Sequence, residues 1–320
     1  MDTLLSPLRE IWYNGRMRNT IQGPQVTWID IKDPEEADIT YLQETYALHS
    51  LVVDELIPPA WRTKVEVFPD YLFFAYYYPI YSKAHRHTRP AELDIIVGKN
   101  LLVTNHYNSI VPLKALFDQC NLYEDKRGNF MGQTAGYLLF HVLTKLQEGS
   151  LVKLDRINKK LHFVEDQIFM GNERQMLQEI SYLKADVINF WRIVSPQGEI
   201  FESLHSQNHS FFGGELRPYF TRLLGEWAQE RNDLETYKET IEALEQTNNG
   251  LLADKTNEIV KILTIFSVVF LPPVLVAALF SMNASDIPLV DVRGGFWILL
   301  GFMTLGVLGM LWYFRHKHWL

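Results

Sequence analysis

Two long apolar stretches close to the end of the chain constrain its fold more than any other feature. They cover residues 259–280 and 296–314, and the second contains no charged residue. At a rise of about 1.5 Å per residue, about twenty apolar residues cross the hydrocarbon core of a bilayer. The first stretch carries only Lys261, within one turn of its start, where the side chain can extend to the lipid headgroups. We therefore expect transmembrane helices at residues 259–281 and 296–314.

Basic residues near these stretches indicate which way the helices cross the membrane. They are Lys255, Lys261, Arg315 and Lys317 outside the intervening loop, and only Arg293 within it. Short cytoplasmic loops carry an excess of Lys and Arg. We therefore expect a multi-pass protein of the cell inner (plasma) membrane with both termini cytoplasmic. The outer loop would be residues 282–295, and residues 315–320 would form a basic cytoplasmic tail.

Charge and motif content narrow the classes of function. The formal net charge is -8. A nucleic-acid partner is not expected, because such binding depends on clustered Lys and Arg that neutralise phosphates, whereas an acidic chain attracts cations. The sequence shows no Gly-rich phosphate loop, no metal-hydrolase motif and no nucleophile beside a base, so we expect neither an enzyme nor a bound cofactor.

Residues 1–132 show the pattern typical of a small sheet with covering helices. A helix is predicted after Asp33 and Pro34. Strands are predicted at residues 26–31, 65–68, 71–77, 93–97 and 101–104, where β-branched and aromatic residues lie between turn residues. These runs indicate a cytoplasmic α+β domain.

Residues 133–258 are long, charged and amphipathic, with few helix breakers. Helices are predicted at residues 134–170 and 173–194, and a third, longer helix at residues 215–280. At about 1.5 Å per residue, the third helix would be about 100 Å long. It would form a cytoplasmic stalk that continues into the first transmembrane span.

Apolar residues on this stalk recur at alternating intervals of three and four. They are Phe220, Leu223, Trp227, Leu234, Tyr237, Ile241, Leu244 and Leu251, with Glu230 and Asn248 at polar positions in the same register. Such a heptad pattern favours helix packing. We expect several copies of the chain to pack side by side, with the polar positions facing a central axis. A helix pair within one chain is the alternative that the heptads leave open.

Motifs around the first span match a known family. The sequence has NEIVKILT at residues 257–264, FLP at 270–272, MN at 282–283 and the ending FRHKHWL. These segments resemble the Asn-x-x-Met-Lys-x-Leu-Thr pattern, the following proline, the Gly-Met-Asn signature and the basic tail of the CorA family of divalent-cation transporters. Upstream segments such as WID at 28–30 and LHSL at 48–51 extend the resemblance over nearly the whole chain.

The resemblance implies a homopentameric funnel in the lipid bilayer. Its parts are a cytoplasmic α/β/α sandwich, a stalk helix that becomes the pore-lining first span, and an outer ring of second spans. A divalent metal ion would be the substrate and a candidate regulator. The resemblance assigns Ser281, Met282 and Asn283 to the selectivity filter. The pore-lining positions that it carries over are Asn257, Val260, Leu263, Ser267, Leu271 and Val274.

The chemistry of this filter suits a hydrated dication. Mg²⁺ holds its waters tightly and dehydrates reluctantly. A ring of Asn283 carbonyls can accept hydrogen bonds from those waters without binding the ion too tightly for release. The apolar pore positions would act as dewetting constrictions, and Asp286 and Asp291 in the outer loop would concentrate cations at the mouth.

Departures from the family pattern leave the transported ion open. Ser281 stands where the signature has glycine, and IPL at 287–289 lacks the glutamate of the Met-Pro-Glu-Leu loop in magnesium-type members. The outer loop and GFW at 295–297 resemble the ZntB branch, which is associated with zinc, whereas Met282 resembles the magnesium branch. The candidates are therefore Mg²⁺ and Zn²⁺, with Co²⁺ and Ni²⁺ as further alternatives.

Other polar groups admit both a functional and a simpler interpretation. His205 and His209, four residues apart on a predicted helix, could bind a metal such as zinc or form a solvated pair. The stalk acids could attract exiting cations, form an inter-subunit metal sensor or form a solvated helix face. They are Glu226, Glu230, Asp233, Glu235, Glu239, Glu242 and Glu245.

A second class of function also fits the sequence. A membrane-anchored sensor or scaffold could bind metal without conducting it. The apolar residues Val260, Leu271 and Val274 in the inner span favour this alternative, because they replace more polar or softer family residues.

Overall fold

The computed structural model describes residues 11–13, 16–57, 64–206, 216–282 and 293–319. The chain divides into two compact units, Met1–Glu245 and Gln246–Leu320. The first unit contains a sheet and most of the helices, and the second contains two long apolar helical segments.

A seven-stranded sheet forms the centre of the first unit. Its strands are β1 (Ile11–Tyr13), β2 (Arg16–Gln22), β3 (Thr27–Lys32), β4 (Lys64–Val67), β5 (Tyr71–Ser82), β6 (His87–Gly98) and β7 (Leu101–His106). Their order is β1-β2-β3-β7-β6-β5-β4. The pair β3 and β7 is parallel, and the other neighbouring pairs are antiparallel.

Nine helices are present in the described part of the chain. They are α1 (Glu36–Tyr46), α2 (Ser50–Leu56), α3 (Val111–Leu122), α4 (Glu124–Met131), α5 (Ala135–Phe169), α6 (Glu173–Val194), α7 (Gln197–Ser206), α8 (Arg217–Phe280) and α9 (Gly295–His316). The five predicted strands and the predicted helices are all confirmed, although β5 and β6 extend well beyond the predicted ranges.

Helices cover both faces of the sheet. On one face, Leu42 of α1 and Val52 of α2 share a buried cluster with Ile31 and Phe73 of the sheet. On the other face, the ring of Trp28 packs edge-on against Phe117 of α3, with 4.9 Å between ring centroids. This arrangement is the α/β/α sandwich that the family resemblance implies.

The first half of α8 packs on helices of its own chain. The indole Nε1 of Trp227 donates to the carbonyl of Val194 at 2.8 Å, and Gln147 Nε2 of α5 donates to the carbonyl of Leu223 at 3.1 Å. Leu234 and Ile241 are both 0% exposed.

The expectation that this heptad stripe faces other copies around a central axis is therefore wrong for the described stalk up to Leu244. The alternative, packing within one chain, is confirmed there. A heptad pattern specifies an apolar stripe but not which helix covers it. The two polar positions in the register, Glu230 and Asn248, are also buried, at 1% and 0% exposure.

A close approach between α7 and α8 gives a stability prediction. A Cβ atom at Gly198 would lie 2.5 Å from the six-membered ring of the buried Trp227 indole. We expect Gly198→Ala to lower the free energy of unfolding by about 1–3 kcal/mol, because an overpacked core must shift. Gly225→Ala is the matched control, since nothing lies within 4 Å of its added Cβ, and it should stabilise α8 by about 0.5–1 kcal/mol. Thermal unfolding of both variants checks the pair; equal midpoints would contradict the contact.

Candidate functional site

Two helices in the described part of the chain are long and apolar enough to cross a membrane, α8 in its second half and α9. In the most apolar 18-residue segment of each helix, only 11% of α8 and 6% of α9 is buried inside the chain. A core helix of a soluble domain would instead be mostly buried, because its apolar side chains would be covered by other protein elements. These surfaces therefore require lipid or other copies of the chain to cover them.

The two apolar helices contact each other along one side of α8. Ile265 and Val269 of α8 are 7% and 4% exposed and form a buried cluster with Phe314 of α9. At the same end of the pair, the ammonium of Lys261 donates to the carbonyl of His318 at 3.3 Å. Lys261 thus reaches polar groups at the end of the apolar segment, as expected for a lysine near a membrane boundary.

The six predicted pore-lining residues lie on the other side of α8. At about 100° per residue, they fall within an arc of about 120° whose centre is about 180° from Ile265 and Val269. All six are exposed in the chain: Asn257, Val260, Leu263, Ser267, Leu271 and Val274. The structure therefore brings these residues together on one open face. That these residues line a pore stays a prediction.

This open face carries few free polar groups. The hydroxyl of Ser267 donates to the carbonyl of Leu263 at 2.9 Å, within its own helix. Leu263, Leu271 and Val274 are 62%, 64% and 63% exposed. The middle of the face is consequently apolar, which is the property required of a constriction that closes by dewetting.

The predicted filter lies where α8 ends. The amide of Ser281 donates to the carbonyl of Ala277 at 3.1 Å, and the amide of Met282 donates to that of Leu279 at 3.3 Å. Ser281 does not adopt a positive φ, so the turn at this position does not need the glycine of the family signature. Met282 is 60% exposed. Asn283, Asp286 and Asp291 lie outside the described residues.

The predicted histidine site is described only in part. His205, at the end of α7, has its Nδ1 atom 3.1 Å from the hydroxyl oxygen of Thr221, and His209 lies outside the described residues. Within the described ranges, no group of three or more His, Cys, Asp or Glu side chains could hold a metal ion. The assignment of a metal to this pair stays a prediction.

The stalk acids do not form one solvated face. Glu226 pairs with Arg222 and Glu245 with Lys184, each at 2.7 Å. Glu230 instead points into the first unit, where the hydroxyl of Ser150 donates to its carboxylate. The hypothesis that Glu230 attracts exiting cations or belongs to a solvated face is therefore wrong, because its side chain is buried.

Glu230 belongs to a buried polar cluster between α5, α8 and β5. Lys153 donates to the carbonyl of Pro79, and its ammonium lies 3.8 Å from the ring centroid of Tyr78. Burial raises the pKa of Tyr78, and the Glu230 charge adds to that rise. The one feature of the sequence that could have indicated this cluster is Glu230, a polar residue in a mostly apolar heptad register. No sequence pattern indicated that Lys153, which is far away in sequence, would lie in the same cluster.

Burial also raises the pKa of Glu230, from 4.5 to about 7. The hydroxyl of Ser150 and the charge of Lys153 lower this pKa, while the charge of Asp233 raises it further. Between the two pKa values the folded chain keeps a proton that the unfolded chain has lost. The free energy of unfolding should therefore fall by about 3 kcal/mol as the pH rises from about 4.5 to about 7.

Glu230→Gln tests this pH dependence. The variant keeps an oxygen that accepts from Ser150 but has no proton to release, so its stability should lack the loss between pH 4.5 and 7. Thermal midpoints of both proteins measured at steps across that window give the difference. Parallel curves for the two proteins would contradict the raised pKa. The window lies below the pKa of Lys153, which burial lowers to about 8, so lysine titration does not contribute.

Comparison with known proteins adds to this geometry. A family model described as "CorA-like Mg2+ transporter protein" matches residues 23–316. The "Cobalt/magnesium transport protein CorA" of Thermotoga maritima is 25% identical over 296 residues, which cover 92% of this chain and 83% of that protein. The "Zinc transport protein ZntB" of Yersinia enterocolitica is 20% identical over 301 residues, which cover 94% of this chain and 89% of that protein.

A solved structure shares the fold. The complete structure of the CorA magnesium transporter from Methanocaldococcus jannaschii superposes with a TM-score of 0.79 at 22% identity, covering 92% of each chain. The similarity thus includes both the sandwich and the apolar helices.

Proposed function

The chain belongs to the CorA-like Mg²⁺ transporter family, whose model matches most of its length, and from this premise we propose that several copies conduct divalent cations through a pore lined by α8. The relatives named above are described as transport proteins for cobalt and magnesium or for zinc. The chain is a membrane protein of this family of divalent-cation transporters.

The observation that carries the pore proposal is the open face of α8. Helix α9 covers the side of α8 with Ile265 and Val269 and leaves the opposite side uncovered. When copies assemble with α9 outside, the uncovered faces of α8 meet around a common axis. The family resemblance implies five copies, and the proposal adopts a homopentamer in which α9 faces lipid.

The ring of Asn283 side chains at the outer end of α8 is the proposed filter. Amide carbonyls are neutral acceptors, so they can hold the water shell of a dication with modest affinity. Ser281 and Met282 would set the position of that ring, and Asp286 and Asp291 would raise the local cation concentration. Both termini would be cytoplasmic, as the basic residues near the spans predict.

Flux measurements on the reconstituted protein test the proposal. Liposomes containing the chain are loaded with an ion-sensitive dye, and Mg²⁺, Zn²⁺, Co²⁺ and Ni²⁺ are supplied outside, with and without a pH gradient. We expect saturable uptake of at least one of these ions. A dependence on the gradient would identify proton coupling.

Absence of flux for all four ions would contradict the proposal. If calorimetry then showed binding of the same ions, the protein would act as a membrane-anchored sensor or scaffold. The ratio of Mg²⁺ flux to Zn²⁺ flux decides whether the protein acts like its cobalt/magnesium-transporting relatives or like its zinc-transporting relatives.

A further inference from the structure

A cavity of about 570 Å³ lies in the first unit, and none of its lining residues belongs to the apolar helices. The start of β6 forms one wall, and the end of α6 with the start of α7 forms the other. Its volume is within the range of about 300–1,000 Å³ that is typical of small-molecule sites. None of the functions proposed above uses this cavity.

Buried hydrogen bonds hold the two walls together. The amide and hydroxyl of Thr88 on β6 both donate to Asp186 Oδ1 of α6, at 2.6 and 2.7 Å. Gln197 Nε2, at the start of α7, donates to the carbonyl of Tyr77 on β5 at 2.8 Å. Thr88, Asp186 and Gln197 are 3%, 3% and 1% exposed. The cavity is therefore formed by fixed elements of the fold, so ligand binding would lose little free energy to ordering its walls.

Two guanidinium groups line the cavity, one from each wall. Arg89 lies on β6 and Arg192 near the end of α6. Within the described ranges neither has a hydrogen-bonding or ionic partner, whereas Arg86 on the same hairpin donates to both carboxylate oxygens of Glu179, at 2.8 and 2.6 Å. One carboxylate, that of Glu199, also lines the cavity. The fixed charge is thus two positive groups against one negative group.

The remaining lining is largely apolar. Tyr77, Pro90, Ile193 and Pro196 contribute to it. A simple inorganic anion would leave these surfaces uncovered, while a neutral apolar molecule would leave both guanidinium groups without an acceptor. Guanidinium groups bind phosphate oxygens in a bidentate manner. The lining therefore matches a molecule with an oxyanion at one end and an apolar or aromatic body at the other.

We propose that this cavity binds a small organic phosphate of about mononucleotide size. The phosphate group contacts Arg89 and Arg192, and the body packs against Tyr77, Pro90 and Ile193. Asn189, which also lines the cavity, supplies an amide for polar atoms of the body. This site is independent of ion conduction, so its failure would leave the pore proposal standing.

Calorimetric titration of the full-length protein in lipid nanodiscs tests the site. The probes are adenosine 5′-monophosphate and phenyl phosphate, with adenosine and inorganic phosphate as probes that each lack one half of the proposed ligand. We expect saturable binding of at least one organic phosphate and weaker binding of both half-probes. Arg192→Gln and Arg89→Gln should each weaken binding about tenfold or more, since each removes a charge-assisted contact.

Lys83→Gln is the matched control, because Lys83 is exposed on the turn of the same hairpin and does not line the cavity. It removes the same charge and should leave the affinity unchanged. Both arginines are exposed, so the variants should keep the thermal midpoint of the wild type. Absence of saturable binding up to millimolar concentrations for both organic phosphates would overturn the proposal. So would affinities that survive both arginine substitutions.

Discussion

Asn283→Ala should lower divalent-cation flux about tenfold or more, because in the proposed filter every copy would lose a carbonyl that accepts from the water shell of the ion. The assembly should stay intact, since the substitution shortens one polar side chain and leaves the apolar residues of both spans unchanged. Liposome flux for the four ions, with particle size measured by light scattering, gives both readouts.

Two companion variants sharpen this result. Asn283→Asp supplies carboxylates, so it should bind the ion more tightly and slow its release. Thr304→Ala serves as the control, because Thr304 is exposed on α9 and its hydroxyl only donates to the carbonyl of Leu300. Flux and ion selectivity in Asn283→Ala equal to those of the control would remove Asn283 from the filter.

Ile241→Lys should destabilise the subunit itself, by about 4 kcal/mol or more, and should not act on the assembly alone. The side chain is 0% exposed within a single chain, so the substitution removes a packed side chain and buries an unpaired ammonium. The expected result is a large fall in the thermal midpoint, or loss of folded protein.

Thr236→Lys is the matched control on the same helix. Thr236 is exposed, so the same added charge should change the stability by less than about 0.5 kcal/mol. If Ile241→Lys kept the thermal midpoint of the control but dissociated the oligomer, then the stripe would face other copies after all. Thermal unfolding and particle size, measured on both variants, separate these outcomes.

Local patterns predicted the elements of the fold better than their extent. The strands at 71–77 and 93–97 were evident from their β-branched and aromatic residues between turns, but β5 and β6 continue to Ser82 and back to His87. Pro79 and Pro90 are opposite each other in this hairpin. Proline is a breaker signal in a sequence because it cannot donate to a ladder. The pairing of β5 with β6 overrides that signal.

Packing partners were harder to predict than packing surfaces. The heptad stripe identified the buried side of the stalk, yet a stripe of leucines is equally suited to a helix of the same chain and to a helix of another. The helices α5, α6 and α7 contact α8 through residues far away in sequence, such as Gln147 and Val194. Long-range choices of this kind leave no local pattern.

For the candidate pore face, the sequence identified the residues and the structure identified the packing partner. The family resemblance supplied its residues, and their helical spacing places them on one side of α8. The structure adds that α9 occupies the other side through Phe314. The family resemblance also supplied the identity of the proposed filter. Composition could not supply it, because a single amide residue carries no periodic signal. Likewise, the cavity beside Arg192 had no sequence signal, since its lining comes from two separate segments.

The contact between Lys261 and His318 has a practical consequence for anyone who purifies this protein. The ring of Trp319 stacks on that of Phe314, with 5.8 Å between centroids, and so holds the polypeptide beside Lys261. An affinity tag fused directly after residue 320 would disturb the hydrogen bond from Lys261 to His318 and the stacking of Trp319 on Phe314. Protein that carries the tag at the amino end should therefore give the more stable detergent-solubilised sample.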